Sequence, residues 1–326
     1  MRPGTLRLLG VVAVLLAACG TPARVPTSSS TSADAADEPT MSAGQSTTPS
    51  ASAPPSIELG GAAWSTKYGF DGVWIQVDPP IDQMIKVDAA TGSVAMTIDG
   101  GAGVAFTDDG VWVALPGQAE IQNLDPVSGE ILLSVPGMTA YLATGAGSVW
   151  AVAFDGNVLR VDAESGELLA TIPIEASELT DIAISDDGAW VTAKEDGKVF
   201  RIDPATNEVV AEIRTGAGAH AIVIDGSGVW VTNYRDNTVS RIDPATNEVV
   251  ATVEGVGSGV GITAGAGAIW VSTQGQGISR IDPATNEPTL VVQLPNEWNY
   301  GIAYAHGELW ISSVDNGLVY RVAIQD

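Results

Sequence analysis

Cysteine is all but missing from this chain: Cys19 is the only one in 326 residues. With none after residue 19, neither disulfides nor a thiolate metal site can contribute to the bulk of the protein, and its stability must come from packing. Histidine is nearly as scarce, with His220 and His306 alone, and no paired-histidine metal motif, Gly-x-Ser-x-Gly elbow or phosphate loop occurs. Cations are few as well, 14 Lys and Arg against 39 Asp and Glu, for a net charge of −25. A field of that sign repels phosphates and argues against DNA or RNA as a partner. No long apolar run exists either. Leu8 to Ala18 gives eleven apolar or small residues, too few for a permanent membrane span.

What the chain does have is tryptophan at regular intervals. Trp74, Trp112, Trp150, Trp190, Trp230, Trp270 and Trp310 are spaced by 38, 38, 40, 40, 40 and 40 residues. Seven copies of a unit near 40 residues predict an all-β, seven-bladed β-propeller. The repeat is plainest in Arg201-Ile-Asp-Pro-Ala-Thr-Asn-Glu, Arg241-Ile-Asp-Pro-Ala-Thr-Asn-Glu and Arg280-Ile-Asp-Pro-Ala-Thr-Asn-Glu, with weaker copies starting at Asp88, Asp125 and Asp162. Each is a polar segment between two Val/Ile/Leu-rich runs, which reads as a hairpin. The last turn position alternates between Gly (92, 129, 166) and Asn (207, 247, 286), the residues that best tolerate a left-handed backbone, so a positive φ is expected there. Asp at the first position can accept the turn amides, and Pro at the second suits a type I turn.

Each unit holds four candidate strands, as in Ala221 to Ile224, Val229 to Asn233, Thr238 to Ile242 and Glu248 to Val253. Val229 and Val231 point one way and Trp230 and Thr232 the other. A Trp at one fixed strand position of every blade is expected to pack between neighbouring blades. Lys86, Arg160, Arg201, Arg241 and Arg280 stand two residues before their turn Asp, on the same strand face, where a repeated ion pair is expected. Only one strand, Leu318 to Ile324, follows Trp310, so the seventh blade lacks its outermost member. The segment Ile57-Glu-Leu59 could supply it and remove an open edge.

In four-stranded antiparallel blades, the turns after strands one and three share one face and those after strands two and four share the other. The first face carries the acidic turns, and His306 falls on it. The second carries the variable segments, and there the few cations gather: Lys194, Lys198, Arg214 and Arg235, with His220, Asn233, Tyr234, Trp298, Asn299 and Tyr300. This set is the candidate binding face, able to orient an anionic group against the acidic background. Trp298 lies outside the seven-fold series, as does Trp64, which falls near the first inner strand and suits a core-filling role.

At the N-terminus, Arg2 and Arg7 precede the apolar run, which ends in Leu16-Ala-Ala-Cys19. This segment resembles a bacterial lipoprotein signal with its lipobox. The resemblance implies cleavage before Cys19, lipidation of that residue and a cell-membrane location on the extracytoplasmic side. Residues 20 to 56 are dominated by Ser, Thr, Pro and Ala, a composition that cannot offset the cost of ordering and so reads as a flexible tether. The expected organisation is therefore 1–18 signal peptide, 19–56 lipidated Cys and tether, and 57–326 propeller.

The stretch Gly228-Val-Trp-Val-Thr-Asn-Tyr-Arg-Asp-Asn-Thr-Val-Ser-Arg-Ile-Asp-Pro-Ala-Thr-Asn-Glu resembles the repeat of YVTN-type (YncE-like) propeller proteins, with Trp in place of the first Tyr. The similarity spans about 57 to 326. It implies a repeat type and not a function, because one fold hosts many activities. The blades are more distantly similar to virginiamycin B (streptogramin) lyase, which uses a His and a Glu with a divalent metal such as Mg²⁺. Here His220 is on the suitable face, but no carboxylate is placed by spacing to act with it, and acid–base work needs both groups at one substrate. The expectation is a tethered, non-catalytic binding or scaffold module for an envelope protein, glycan or small ligand. It needs no cofactor, and a metal-assisted lyase or hydrolase is the alternative.

Overall fold

A computed structural model describes residues 54–324 except 79, 138 and 295–297. The signal segment, Cys19 and the tether to residue 53 lie outside the described residues. Strands assemble into seven four-stranded antiparallel sheets, six of them meanders in chain order. The first strand of every sheet contacts the first strands of its two neighbours, so the sheets close into a ring as seven blades around an axis. Blade 5 is typical, with strands Ala219–Asp225, Gly228–Asn233, Thr238–Asp243 and Glu248–Val253. In blade 7, Ser56–Glu58 pairs antiparallel with Leu318–Ala323 and supplies the missing outer strand, as Ile57↔Val319 shows. The first and last segments of the propeller thereby share one sheet, which locks the ring.

The turns between third and outer strands behave as their sequence suggests. Gly92, Gly129 and Gly166 have φ of 75°, 73° and 73°, and Asn207, Asn247 and Asn286 have φ of 59°, 60° and 60°. In each turn the leading Asp accepts a backbone N–H two or three residues on: Thr91 for Asp88, Ser128 for Asp125, Ser165 for Asp162, Ala205 for Asp203. These bonds hold the carboxyls of Asp88, Asp125 and Asp162 below their ordinary range.

The blade tryptophans lie between blades and are 0–1% exposed. Trp230 packs on Ile269 and Val271 of blade 6, while Val229 and Val231 on the other side of its strand pack with Trp190 of blade 4. Trp310 meets Val73 and Ile75 of blade 1 and completes the circle. One ring buries about 150–250 Å², a gross gain of roughly 4–6 kcal/mol at 25 cal/mol per Å². The indole N–H groups of Trp74, Trp150, Trp230 and Trp270 find acceptors inside their own blade, as in Trp74 to Gly69 O at 3.1 Å and Trp270 to Gly265 O at 2.8 Å, whereas those of Trp112, Trp190 and Trp310 are buried without one among the described residues.

The ion pair expected between the repeated cation and its own turn Asp does not form. Among the described residues, no carboxylate lies within 4.0 Å of Lys86, Arg160, Arg201 or Arg241. The Asp is already engaged by turn amides, and the cation leans over its blade Trp: Arg201 lies 4.9 Å from the Trp190 centroid and Arg241 5.1 Å from that of Trp230. From there it reaches the next blade. Arg201 Nη1 donates to Pro244 O at 2.7 Å and Asn247 Oδ1 at 2.8 Å, and Arg241 Nη1 donates to Pro283 O at 2.8 Å and Asn286 Oδ1 at 3.1 Å. Arg160 bonds the blade 4 turn in the same way, Lys86 donates to Pro126 O, and Arg321 donates to Ala89 O. The conserved geometry of the turn thus serves as an acceptor for its neighbour's cation, tying blade to blade on the turn face.

Candidate functional site: the central channel and its mouth

The inner strands enclose a cavity of about 370 Å³ on the ring axis, lined from all seven blades. Pairing with the blade Trp puts the inner strands in a common register. Lys67 faces Trp74, whereas the equivalent residues are Ala105, Ala143, Ala183, Val223, Thr263 and Ala303. Two residues earlier the series reads Ser65, Gly103, Tyr141, Asp181, Ala221, Gly261 and Gly301. Glycine is needed at some of these points because neighbouring strands approach closely: a Cβ on Gly261 would meet Tyr300 O at 2.2 Å, and one on Gly103 would meet Ala140 O at 2.0 Å. Lys67 and Asp181 are the two charged members of these series.

Lys67 Nζ donates to Leu142 O at 2.8 Å, reaching past blade 2, whose inner strand is only Gly103–Phe106. Asp181 caps its own blade and the next, accepting Ile182 N–H at 2.9 Å and Ile222 N–H at 3.1 Å. The Ile222 amide is released by an irregularity in strand register between Ala219 and Ile222. Burial lowers the Lys67 pKa, partly countered by the charge of Asp181, and burial raises the Asp181 pKa, partly countered by Lys67. The two heads are more than 4.0 Å apart and form no direct ion pair.

Above them sits an aromatic group. His220, 8% exposed, has Nδ1 3.0 Å from Val260 O and Nε2 2.8 Å from the Tyr300 hydroxyl. A carbonyl can only accept, so Nδ1 carries a proton, and in the neutral ring Nε2 accepts from the Tyr300 hydroxyl. Desolvation pushes the His220 pKa down to about 4. Burial raises the hydroxyls of Tyr300 and Tyr141, the latter to about 12. Tyr234 and Tyr300 pack edge-on against His220 with centroids at 5.9 Å and 5.5 Å, and Trp64 packs edge-on against Tyr300 at 5.0 Å.

The candidate face read from sequence divides into four groups. His220, Tyr234, Tyr300, Lys194 and Arg235 meet at the mouth. There Lys194 pairs with Glu178 at 2.5 Å and lies 5.7 Å from the Tyr234 centroid, while Arg235 pairs with Glu195 and donates to the Tyr234 hydroxyl at 2.9 Å. The Arg235 pair holds the Glu195 carboxyl below its usual range. Lys198 and Arg214 face each other across the third and outer strands of blade 4, away from the axis, and Lys198 pairs with Glu212 at 2.8 Å. Asn233 and Asn299 are buried; Asn233 Nδ2 donates to Thr238 Oγ1 and Ser240 Oγ and braces the loop between them. Trp298 is 48% exposed and its backbone N–H donates to Asp315 Oδ2 at 2.9 Å. Three of the expected anion-orienting cations therefore already hold carboxylates. His306 lies in the turn after the blade 7 inner strand, where Nε2 is 2.8 Å from the Tyr68 hydroxyl.

Lys67, Tyr141 and Asp181 were missed by the sequence reading, although alignment of the inner strands on the Trp series isolates the lysine. Phe154, 64% exposed in the loop after the second strand of blade 3, was missed as well. It stands at the Trp-plus-four position, where blades 4 and 5 carry Lys194 and Tyr234.

No protein-family model and no curated protein matches the chain. Solved structures do. The chain is similar to the β-propeller domain of Cps50 (Swd1) from Myceliophteria thermophila, at 14% identity and a TM-score of 0.68 over 83% of this chain and 100% of that one. It is also similar to the computationally designed Ika8 protein, at 14% identity and a TM-score of 0.60 over 81% of this chain and 97% of that one. At such identity the likeness is one of fold: this chain is a seven-bladed β-propeller.

Proposed function

We propose that this protein is a non-catalytic binding module, carried outside the cytoplasm on a lipidated Cys19, whose ligand is a small molecule taken into the central channel from the mouth lined by Tyr234, Tyr300 and His220. One observation carries the reading: an axial cavity of about 370 Å³ holds Lys67 and Asp181 at positions where the other blades bear mostly small or apolar residues. That volume lies in the range of small-ligand sites, and few convergent polar groups within apolar walls are their usual composition. The YVTN-type resemblance is compatible with such a role, as propellers serve commonly as binding modules.

Elimination chemistry of the lyase type would ask His220 to act as a base. A neutral imidazole with its pKa near 4 and its Nε2 occupied by Tyr300 is a weak base at neutral pH. Among the described residues, no group of three or more His, Cys, Asp and Glu side chains converges to hold a metal. The engagement of His220 by Tyr300 favours binding over a base role for this residue.

The test is a thermal-shift screen of sugars, acids, amines, zwitterions and neutral amides, with hits checked by calorimetry on the wild type and on Thr263→Phe, which fills the cavity. The expected result is a compound that stabilises the wild type and not the filled variant. Equal responses from both proteins, or none from either, would end the channel reading. Scaffolding through the outer surface would then take its place.

A further inference from the structure

The geometry points to a ligand class: we infer that the channel binds a small zwitterion, an amino-acid-sized molecule with its carboxylate on Lys67 and its ammonium on Asp181. This inference rests on the channel reading above and deepens it.

Both charged heads have capacity left. An ammonium has three donors, and Lys67 uses one on Leu142 O. A carboxylate has about four acceptor positions, and Asp181 uses one on each oxygen for a backbone N–H. They come from blades 1 and 4, in the same cavity, yet they stop short of an ion pair, with more than 4.0 Å between them. Two opposite charges brought into a low-dielectric channel and left apart are costly by comparison with a pair in contact or with the Ala, Val and Gly of the other blades. A molecule bearing both signs would bridge them, giving each a charge-assisted partner without adding net charge to the channel.

A simple anion or a simple cation satisfies one head and leaves the other exposed to the same low dielectric. Around the heads, Ile182, Val260 and Ile262 supply apolar wall for a ligand's carbon skeleton, and Tyr141 offers a neutral hydroxyl beside them. The mouth adds no competing free charge, since Lys194 and Arg235 already hold Glu178 and Glu195. Discrimination is therefore assigned to the channel interior. The directions in which burial moves Lys67 and Asp181, one down and one up, fit a site where an incoming opposite charge stabilises the ionised form of each.

Isothermal calorimetry on the full folded chain tests this with defined probes. The zwitterions are glycine, L-alanine, L-leucine, γ-aminobutyrate and 6-aminohexanoate, and hexanoate and hexylamine are the singly charged controls. The expected result is binding by at least one zwitterion, with both controls at least tenfold weaker, and at least tenfold loss in Lys67→Met and in Asp181→Asn. Removing one partner can strand a buried charge and unfold the protein. The double variant Lys67→Met/Asp181→Asn removes both charges, should fold, and should lose zwitterion binding. Folding of each variant is checked by near-ultraviolet circular dichroism. Hexanoate or hexylamine binding as tightly as the zwitterions would overturn the zwitterion assignment while leaving the channel reading intact. So would failure of every zwitterion to bind while another class passes the filled-channel comparison. Unchanged zwitterion binding in the double variant would overturn it too, by moving the site elsewhere.

Discussion

His220 is the residue whose chemistry is most constrained by its surroundings. Its Nδ1–H donates to Val260 O and, in the neutral ring, its Nε2 accepts the Tyr300 hydroxyl, so the neutral form satisfies both partners. Burial places the folded pKa at about 4, below the 6.5 of an unfolded histidine. The unfolded chain therefore binds the extra proton first as pH falls. The contribution of His220 to stability is complete above pH 6.5, declines between 6.5 and 4, and amounts to about 3 kcal/mol over that window. Asp181, with its pKa raised, acts in the opposite sense, but equally in a variant that keeps it. Urea unfolding of wild type and His220→Gln at pH 7.5, 6, 5 and 4 should show the stability gap between them narrowing progressively toward pH 4. A constant gap would mean that the imidazole is not held neutral in the folded state. His220, Tyr234 and Tyr300 were reachable from sequence because strand alternation and loop order assign them to one face. Lys67 and Asp181 were not. They lie three blades apart, one among 14 cations and the other among 39 acids, and only ring closure brings them to one cavity.

At the level of the strand, the repeat was legible because every blade interface needs the same ring-shaped filler and every outer turn the same left-handed residue. What the pattern did not reveal was the direction of the repeated Arg, because the acceptors lie in the next blade and a single repeat cannot show them. The closing strand Ser56–Glu58 was visible only as a deficit in the last blade. It covers the Leu318–Ala323 edge, and the chain around it adds Leu59 N–H to Gly317 O at 3.0 Å and Arg321 N–H to Pro55 O at 2.8 Å. Ile57 and Leu59 pack into the cluster that contains Trp310 and Val73, the junction between the last and first blades. Removing residues 57 to 61 forfeits two apolar side chains and leaves a bare sheet edge. A loss of about 3–5 kcal/mol is expected, which lowers the melting temperature by roughly 10 °C in a domain of this size. Calorimetric scans of the truncated and intact propellers read this directly, and coincident melts would show that the ring closes without the added strand.

For the molecule as a whole, seven apolar interfaces in a closed circle, the cations that reach from blade to blade and the closing strand hold the ring together without disulfides. The same closure leaves both ends of the propeller at one blade, where Ser56 is the first residue of the shared sheet. We propose that the Ser/Thr/Pro-rich segment runs from that point to a lipidated Cys19. The fold itself has no stake in the anchor. Cys19→Ser should therefore release the protein from the membrane fraction while leaving its melting temperature and ligand response unchanged. Labelling with a radioactive fatty acid should mark the wild type and not the variant. An ordinary secretory signal would give the opposite pattern, with no label and a soluble wild type. Stable anchoring by lipid takes two hydrophobic signals, because one acyl chain gives only marginal, reversible binding. Retention of the variant after loss of residues 1–18, checked by N-terminal sequencing, would thus require a protein contact of the propeller itself, and would return weight to a scaffolding role.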